Sequence, residues 1–272
     1  MIKLIAIDMD GTLLNSQHKI SQKNIDVLNT VVNKNIDLVL CTGRALFGVK
    51  PYLEQLPLKD DDFIIVNNGC SIHRGSQLEL VDWVQLTKQN ILYLQQLVHD
   101  FPIQLVVNDD YTMYVIDEEP NDWVKKDAKL VFTHPSLLPL YKAISGEYML
   151  FQSMLMGNPK DLDEFEACYR KILEEQFSVV RSQTYILEVM PKGTTKASAL
   201  ARLSRLLNIS SSDMMAFGDG NNDVEMLAYV GTGVAMANGT NLVKQTAKYH
   251  TDSNDNDGVA KAIELFVLNE KE

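Results

Sequence analysis

Short apolar runs that end on acidic or small polar residues recur along this chain, and between them lie segments whose apolar positions fall at helical spacing. The first run, Leu4 to Ile7, is continuously apolar and stops at Asp8, the pattern of a strand buried on both faces. Residues 21 to 34 then carry Ile25, Leu28, Val31 and Val32 at helical spacing, with Ser21 as a candidate N-cap. Ile36 to Leu40 predicts a second buried strand, residues 45 to 55 a helix, and Phe63 to Val66 a third strand stopped by Asn67, Asn68 and Gly69. This βαβαβ order predicts a parallel sheet.

The rhythm then breaks. His73 to Leu80 reads as a hairpin around Gly75, and the middle of the chain mixes strands, at Ile103 to Val107 and Tyr148 to Met156, with a helix over 160 to 175. From Thr195 the alternation resumes with a helix to Leu207, a strand Met214 to Phe217, a helix from Asn222, a strand Gly231 to Ala235 and a last helix after Gly258. The expected organisation is an α/β core from residues 1–83 and 188–272, interrupted by an inserted α+β lobe over 84–187. In open α/β sheets ligands gather at the carboxyl ends of strands, so the residues after Ile7, Leu40, Val66 and Phe217 are expected to converge.

Composition narrows the partners. The chain has 272 residues with a net charge of −11, so a nucleic-acid backbone or an anionic membrane surface is not an expected partner. A small anion can still bind locally. Carboxylates gathered at one point repel it unless a divalent cation sits between them, so phosphate chemistry in so acidic a chain implies a metal. Cys41, Cys70 and Cys168 have neither disulfide-framework nor zinc spacing and read as reduced thiols. With no signal-peptide core and no apolar run of membrane-spanning length, a cytoplasmic location is expected.

Four stretches carry candidate chemistry. Asp8-Met9-Asp10-Gly11-Thr12 sets two carboxylates at alternate positions where the first strand ends, so that one can attack while the other moves protons. Thr42-Gly43-Arg44 follows the second strand and offers a hydroxyl and an amide to phosphate oxygens. Pro191-Lys192-Gly193-Thr194-Thr195-Lys196 puts Lys196 in the first turn of a helix, where the helix dipole disfavours a cation unless an anion is near. Gly218-Asp219-Gly220-Asn221-Asn222-Asp223 supplies carboxylates that suit Mg²⁺, a hard ion that prefers oxygen ligands, and its spacing does not fit the twelve-residue calcium loop. The five histidines are dispersed without ligand spacing, and surface or core roles are expected for them.

In this order, at these strand ends, the four stretches resemble the haloacid dehalogenase superfamily of phosphohydrolases. The large insertion between the second and third looks like the type IIB cap of the Cof-like branch. Asn67-Asn68-Gly69, Gly231 to Asn238 and Asp257-Gly258-Val259-Ala260-Lys261-Ala262 are also similar to that branch. The resemblance implies a Rossmann-like core whose cap selects the substrate. It implies Asp8 as the nucleophile that forms an aspartyl phosphate and Asp10 as general acid and base. By the same resemblance Asp8, the Asp10 carbonyl and Asp219 are Mg²⁺ ligands. Thr42, the amides of Met9 and Gly43, Lys196 and Asn222 would contact phosphate, and Asp223 would support Lys196 or a metal-bound water. The expected substrates are small phosphate monoesters, such as sugar phosphates or phosphorylated cofactors. Two other readings use the same residues: a phosphomutase or phosphotransferase that returns the group to an organic acceptor, and a regulatory protein phosphorylated at Asp8. Receiver domains of the latter kind lack a hundred-residue insertion and have no use for Asp10.

Overall fold

Leu4–Ile7 form β1, and all four residues are buried, as an unbroken apolar run requires of a strand covered on both faces. The computed structural model describes residues 1–269. After β1 comes α1 (Gln22–Asn33), capped by Ser21, whose hydroxyl accepts the Asn24 amide at 3.1 Å. Its buried face is Asn24, Val27, Leu28, Val31 and Val32, which keeps Leu28, Val31 and Val32 of the expected stripe and leaves Ile25 half-buried. Next are β2 (Asp37–Cys41), α2 (Leu46–Leu53) and β3 (Phe63–Val66), followed by the antiparallel β4 (Ser71–Arg74) and by β5 (Glu79–Trp83).

The intervening segment contains α3 (Lys88–Val98), β6 (Ile103–Asn108), β7 (Met113–Ile116), α4 (Asp122–Leu130), β8 (Ser136–Leu138), α5 (Leu140–Ala143), β9 (Gln152–Gly157), α6 (Pro159–Gln176), β10 (Phe177–Gln183) and β11 (Ile186–Pro191). Its strands form a second sheet in the order β10-β11-β9-β6-β7-β8, antiparallel except where β7 meets β8. β9 begins at Gln152, where it pairs with Asn108, rather than at Tyr148; the Leu150 carbonyl just before it accepts from the Leu86 amide. β11 runs past residue 187 to Pro191.

The chain then returns to the first sheet through α7 (Lys196–Leu207), β12 (Met214–Gly218), α8 (Val224–Tyr229), β13 (Thr232–Ala235), α9 (Asn241–Thr246), β14 (Tyr249–His250) and α10 (Gly258–Ile263). That sheet has the order β14-β13-β12-β1-β2-β3-β4-β5, and β14 through β3 run parallel. The helix expected from Asn222 begins instead as a short 3-10 turn, Asn221–Asp223, before α8. The chain therefore divides into two compact units. Met1–Gly43, Tyr52–Asp82 and the residues from Thr195 onward make the first, and Arg44–Pro51 with Trp83–Thr194 make the second.

In the first unit, Leu4, Ala6, Val39, Cys41, Phe63 and Ile65 turn one face of the sheet onto Ala199, Leu200 and Leu203 of α7 and Met226 and Leu227 of α8. Side chains of this size contribute roughly 1.5–3 kcal/mol each when fully buried, which anchors α7 and the loop ahead of α8 at the carboxyl edge of β1. In the second unit, alternation along β6 sends Ile103, Leu105 and Val107 into one apolar cluster and Val106 into another. No helix among the described residues is long and apolar enough to cross a membrane.

Candidate active site

The parallel register brings the motifs together. Ile7 stands level with Leu40 on one side and Phe217 on the other, so Asp8, the Cys41-Thr42 segment and the Gly218-Asp219 loop leave the sheet at the same height. The Asp8 amide donates to the Phe217 carbonyl at 3.1 Å, and the Met9 carbonyl accepts from the Leu14 amide at 2.8 Å, which closes the turn after the nucleophile candidate. Gly11 is held at a φ of +79°, and a Cβ there would stand 2.3 Å from an Asp219 carboxylate oxygen, so only glycine permits this approach.

Lys196 is the centre of the site. It opens α7, whose N-cap is a reciprocal pair: the Thr195 hydroxyl accepts the Ser198 amide at 3.1 Å, and the Ser198 hydroxyl accepts the Thr195 amide at 2.9 Å. With 1% of its surface exposed, Lys196 donates from Nζ to Asp8 Oδ1 at 2.6 Å and to Asp223 Oδ1 at 2.7 Å. The anion that a cation at a helix N-terminus calls for is thus supplied by these two carboxylates. Asp223 Oδ2 accepts the amides of Asp219 and Gly220 at 3.0 and 2.9 Å, and the Thr12 hydroxyl donates to Asp219 Oδ1 at 2.8 Å.

Three buried or half-buried carboxylates therefore face one lysine. Burial raises the Asp8 carboxyl well above its usual range, and Asp223 and Asp219 push it the same way against Lys196. Burial and Asp223 lift Asp219 to about 6, opposed by the Thr12 hydroxyl. Burial opposes the charge on Lys196, but Asp223 and Asp8 outweigh it and raise its pKa. Each of Asp8, Asp219 and Asp223 offers an oxygen within 4.8 Å of the others. The cluster is short of positive charge, and its all-oxygen donor set suits a hard divalent cation such as Mg²⁺.

The other sequence-predicted residues have partners outside this cluster. The Asp10 side chain is 43% exposed, with an oxygen 3.8 Å from His18 Nδ1. Its carboxylate is not one of the three that cluster, which are those of Asp8, Asp219 and Asp223. Thr42 is buried at the end of β2; its amide donates to the Ile65 carbonyl and its carbonyl accepts the Asn68 amide. Gly43 adjoins the Asn68 side chain, and Asn222 donates to Asn68 Oδ1 at 2.9 Å. Arg44 donates to the Gly48 carbonyl at 3.0 Å and groups with the second unit. Sequence reasoning passed over Thr12 as a partner of Asp219, His18 beside Asp10, and Asn238, whose amide donates to the Gly11 carbonyl at 2.7 Å. The Thr12 and Asn238 contacts each join segments more than two hundred residues apart, whereas His18 reaches Asp10 from within the same loop, eight residues on.

Residues 5–263 match the family model described as haloacid dehalogenase-like hydrolase. The chain is 32% identical to a 5-amino-6-(5-phospho-D-ribitylamino)uracil phosphatase of Bacillus subtilis, over 98% of this chain and 96% of that protein. It is 31% identical to an HMP-PP phosphatase of Serratia proteamaculans, over 88% and 85% of the two chains. Among solved structures, a haloacid dehalogenase-like hydrolase from Bacteroides thetaiotaomicron superposes with a TM-score of 0.85 at 30% identity, over 97% of this chain and 99% of that one.

Proposed function

Because the chain belongs to the haloacid dehalogenase-like hydrolase family, we propose that it hydrolyses small phosphate monoesters in two steps, with Asp8 as nucleophile and Asp10 as general acid and base. The observation that carries this reading is Lys196 Nζ, held 2.6 Å from Asp8 and 2.7 Å from Asp223 at the carboxyl edge of β1. Phosphoryl transfer asks a protein chiefly for positioning and for neutralisation of the equatorial oxygens, and this is where the buried cation stands.

In the first step an Asp8 oxygen attacks phosphorus, the bond from phosphorus to the alcohol oxygen breaks, and Asp10 gives that oxygen a proton. In the second, water attacks the same phosphorus while Asp10 takes its proton, and the bond to Asp8 breaks to release inorganic phosphate. The exposure of Asp10 suits a group that exchanges protons with a substrate and with water, whereas burial and Lys196 keep Asp8 fixed. Thr42, the amides of Met9 and Gly43, Lys196 and Asn222 are assigned to the phosphate. Asp8, Asp219 and the Asp10 carbonyl are assigned to Mg²⁺, with Asp223 holding Lys196 and the amides of Asp219 and Gly220. Bound there, Mg²⁺ would supply the positive charge that the cluster lacks and screen the incoming phosphate from the carboxylates.

Selection of the ester is assigned to the second unit, acting as a substrate-selecting cap over the interval expected at 84–187. Relatives that align along most of the chain bear the names of dissimilar substrates, a ribitylaminouracil phosphate and HMP-PP, so the shared site chemistry is not what separates them. Sugar phosphates and phosphorylated cofactors are the first esters to test. The test is release of inorganic phosphate from a panel of such esters with Mg²⁺ and with excess chelator. Release that needs Mg²⁺ is expected; no release from any ester overturns the proposal, and transfer to an added alcohol without net release makes the enzyme a phosphotransferase.

A further inference from the structure

The turn Asn67-Asn68-Gly69 has no part in the chemistry above, yet it touches three of the four segments that build the site. Its backbone is unusual: Asn67 and Asn68 both sit at a φ of +53° and Gly69 at +95°, and all three are buried. Left-handed backbone at two consecutive non-glycine residues is disfavoured, and asparagine is among the side chains that tolerate it best. The Asn68 amide donates to the Thr42 carbonyl at 3.1 Å, tying the turn to the segment after β2. A Cβ on Gly69 would lie 2.3 Å from the Thr195 carbonyl, so glycine lets the turn press on the residue that caps the Lys196 helix. Arg202, further along α7, fastens the same point from the other side, donating to the Gly69 carbonyl at 2.9 Å and pairing with Asp82.

The third contact is the informative one. Asn68 Oδ1 accepts from Asn222 Nδ2 at 2.9 Å, while the Asn68 amide group fills the space that a side chain on Gly43 would occupy, 3.1 to 3.4 Å from where its Cβ would stand. We propose that Asn68 is a positioning residue for phosphate: its carbonyl oxygen holds the Asn222 amide in one orientation, so that the remaining N–H of Asn222 is directed at the phosphate group. Gly43 is glycine for a spatial reason, since it gives the Asn68 amide room to reach Asn222. The turn thereby sets the segment after β2, the start of α7 and the loop after β12 in fixed relation, and Asn68 acts through Asn222 rather than on the substrate.

This inference rests on the phosphatase reading, and the experiment separates the two. Steady-state constants are measured with Mg²⁺ and one small phosphate ester for the wild type, Asn68→Gly, Asn222→Ala and the double variant, together with the inhibition constant of inorganic phosphate. Asn68→Gly removes the amide and keeps the left-handed backbone at no steric cost. A neutral hydrogen bond that steadies a uniformly used binding contact corresponds to roughly a 2- to 12-fold effect. KM and the phosphate inhibition constant should rise together by that factor while kcat stays within about twofold. In the Asn222→Ala background the same substitution should change nothing further. Asn68→Ala deletes the same amide but strains the backbone. Its KM should match that of Asn68→Gly although its melting temperature is lower, whereas a purely structural role would make the KM follow the stability. Additive losses in the double variant, or a KM that tracks melting temperature, would overturn the positioning role. A wild type that releases no phosphate, or an Asn222→Ala variant with unchanged KM and inhibition constant, would overturn the phosphate-site reading on which it stands.

Discussion

Replacing Lys196 with Met keeps an unbranched chain of similar length and removes the charge and both hydrogen bonds. Two charge-assisted bonds, at 2.6 and 2.7 Å to almost fully buried carboxylates, are lost at once. Each such bond is worth roughly 1.5–3 kcal/mol, and breaking a buried pair from one side costs about 3–5 kcal/mol because the other charge is left without compensation. The first unit should therefore lose about 3–5 kcal/mol of unfolding free energy at pH 8 in chelator. The deficit should depend on pH in a defined direction. Asp8 and Asp219 already have raised pKa values in the folded wild type, Asp219 at about 6, and both rise further without the lysine. A carboxyl raised on folding binds its proton more tightly in the folded state. Its stabilising contribution is complete below the ordinary carboxyl range and is lost as pH climbs through the folded value. The variant's deficit should shrink as pH falls from 8 towards 5, by about 1.4 kcal/mol per pH unit for each extra proton its site holds. Trp123 lies in the second unit while Trp83 ends β5 of the first sheet, so fluorescence would mix the two transitions. Cys41 and Cys70 are buried in the first unit and Cys168 is exposed. Pulse labelling of the first two thiols along a urea gradient therefore follows the unit that carries the site. A deficit below about 1 kcal/mol, or one equal at pH 5 and pH 8, would refute the charge-balance argument.

Asp8→Asn removes the attacking oxygen and should abolish phosphate release with no acyl phosphate detectable by mass spectrometry; turnover near the wild-type rate rejects covalent catalysis. Asp10→Asn should lose roughly 10²- to 10⁴-fold per step on a sugar phosphate. On an aryl phosphate, whose leaving group departs as an anion, the same variant should accumulate phosphorylated Asp8, because the impaired second step is common to both esters; rapid quench with peptide mapping reads this, and equal losses with no trapped intermediate count against Asp10. Thr12→Val deletes the 2.8 Å bond to Asp219 and should raise the Mg²⁺ concentration for half-maximal activity by roughly 10- to 100-fold. A magnesium titration that superposes on the wild type would detach Thr12 from the metal site.

The sequence by itself determined where strands β1, β2, β3 and β12 of the first sheet lie, though not every boundary: the helix expected from Asn222 starts as a 3-10 turn. An unbroken apolar run such as Leu4 to Ile7 can bury only as a strand covered on both faces, and the turn residues after it mark where chemistry can leave the sheet. That logic singled out Asp8, Thr42 and Asp219 as candidates just past strand ends, and the first turn of a helix singled out Lys196. The interruption after the third strand was also legible, since strict strand-helix alternation gives way there to a hairpin around Gly75. Tertiary structure decided the rest. Asp223 takes the Asp219 amide within its own loop, but its bond to Lys196 joins that loop to the start of α7, 27 residues away in sequence, a contact that no local pattern contains. Residues 44–51 group with the second unit although they sit in sequence between core strands, and β11 continues to Pro191 because its pairing with β10 extends that far. The Asn67-Asn68-Gly69 stretch reads in sequence as a strand stop that resembles the Cof-like branch, with no contact implied. Its left-handed backbone becomes a meeting point only when β2, β3, α7 and β12 have been set side by side, because hydrogen-bond partners are chosen by distance in space, and periodicity carries no information about that.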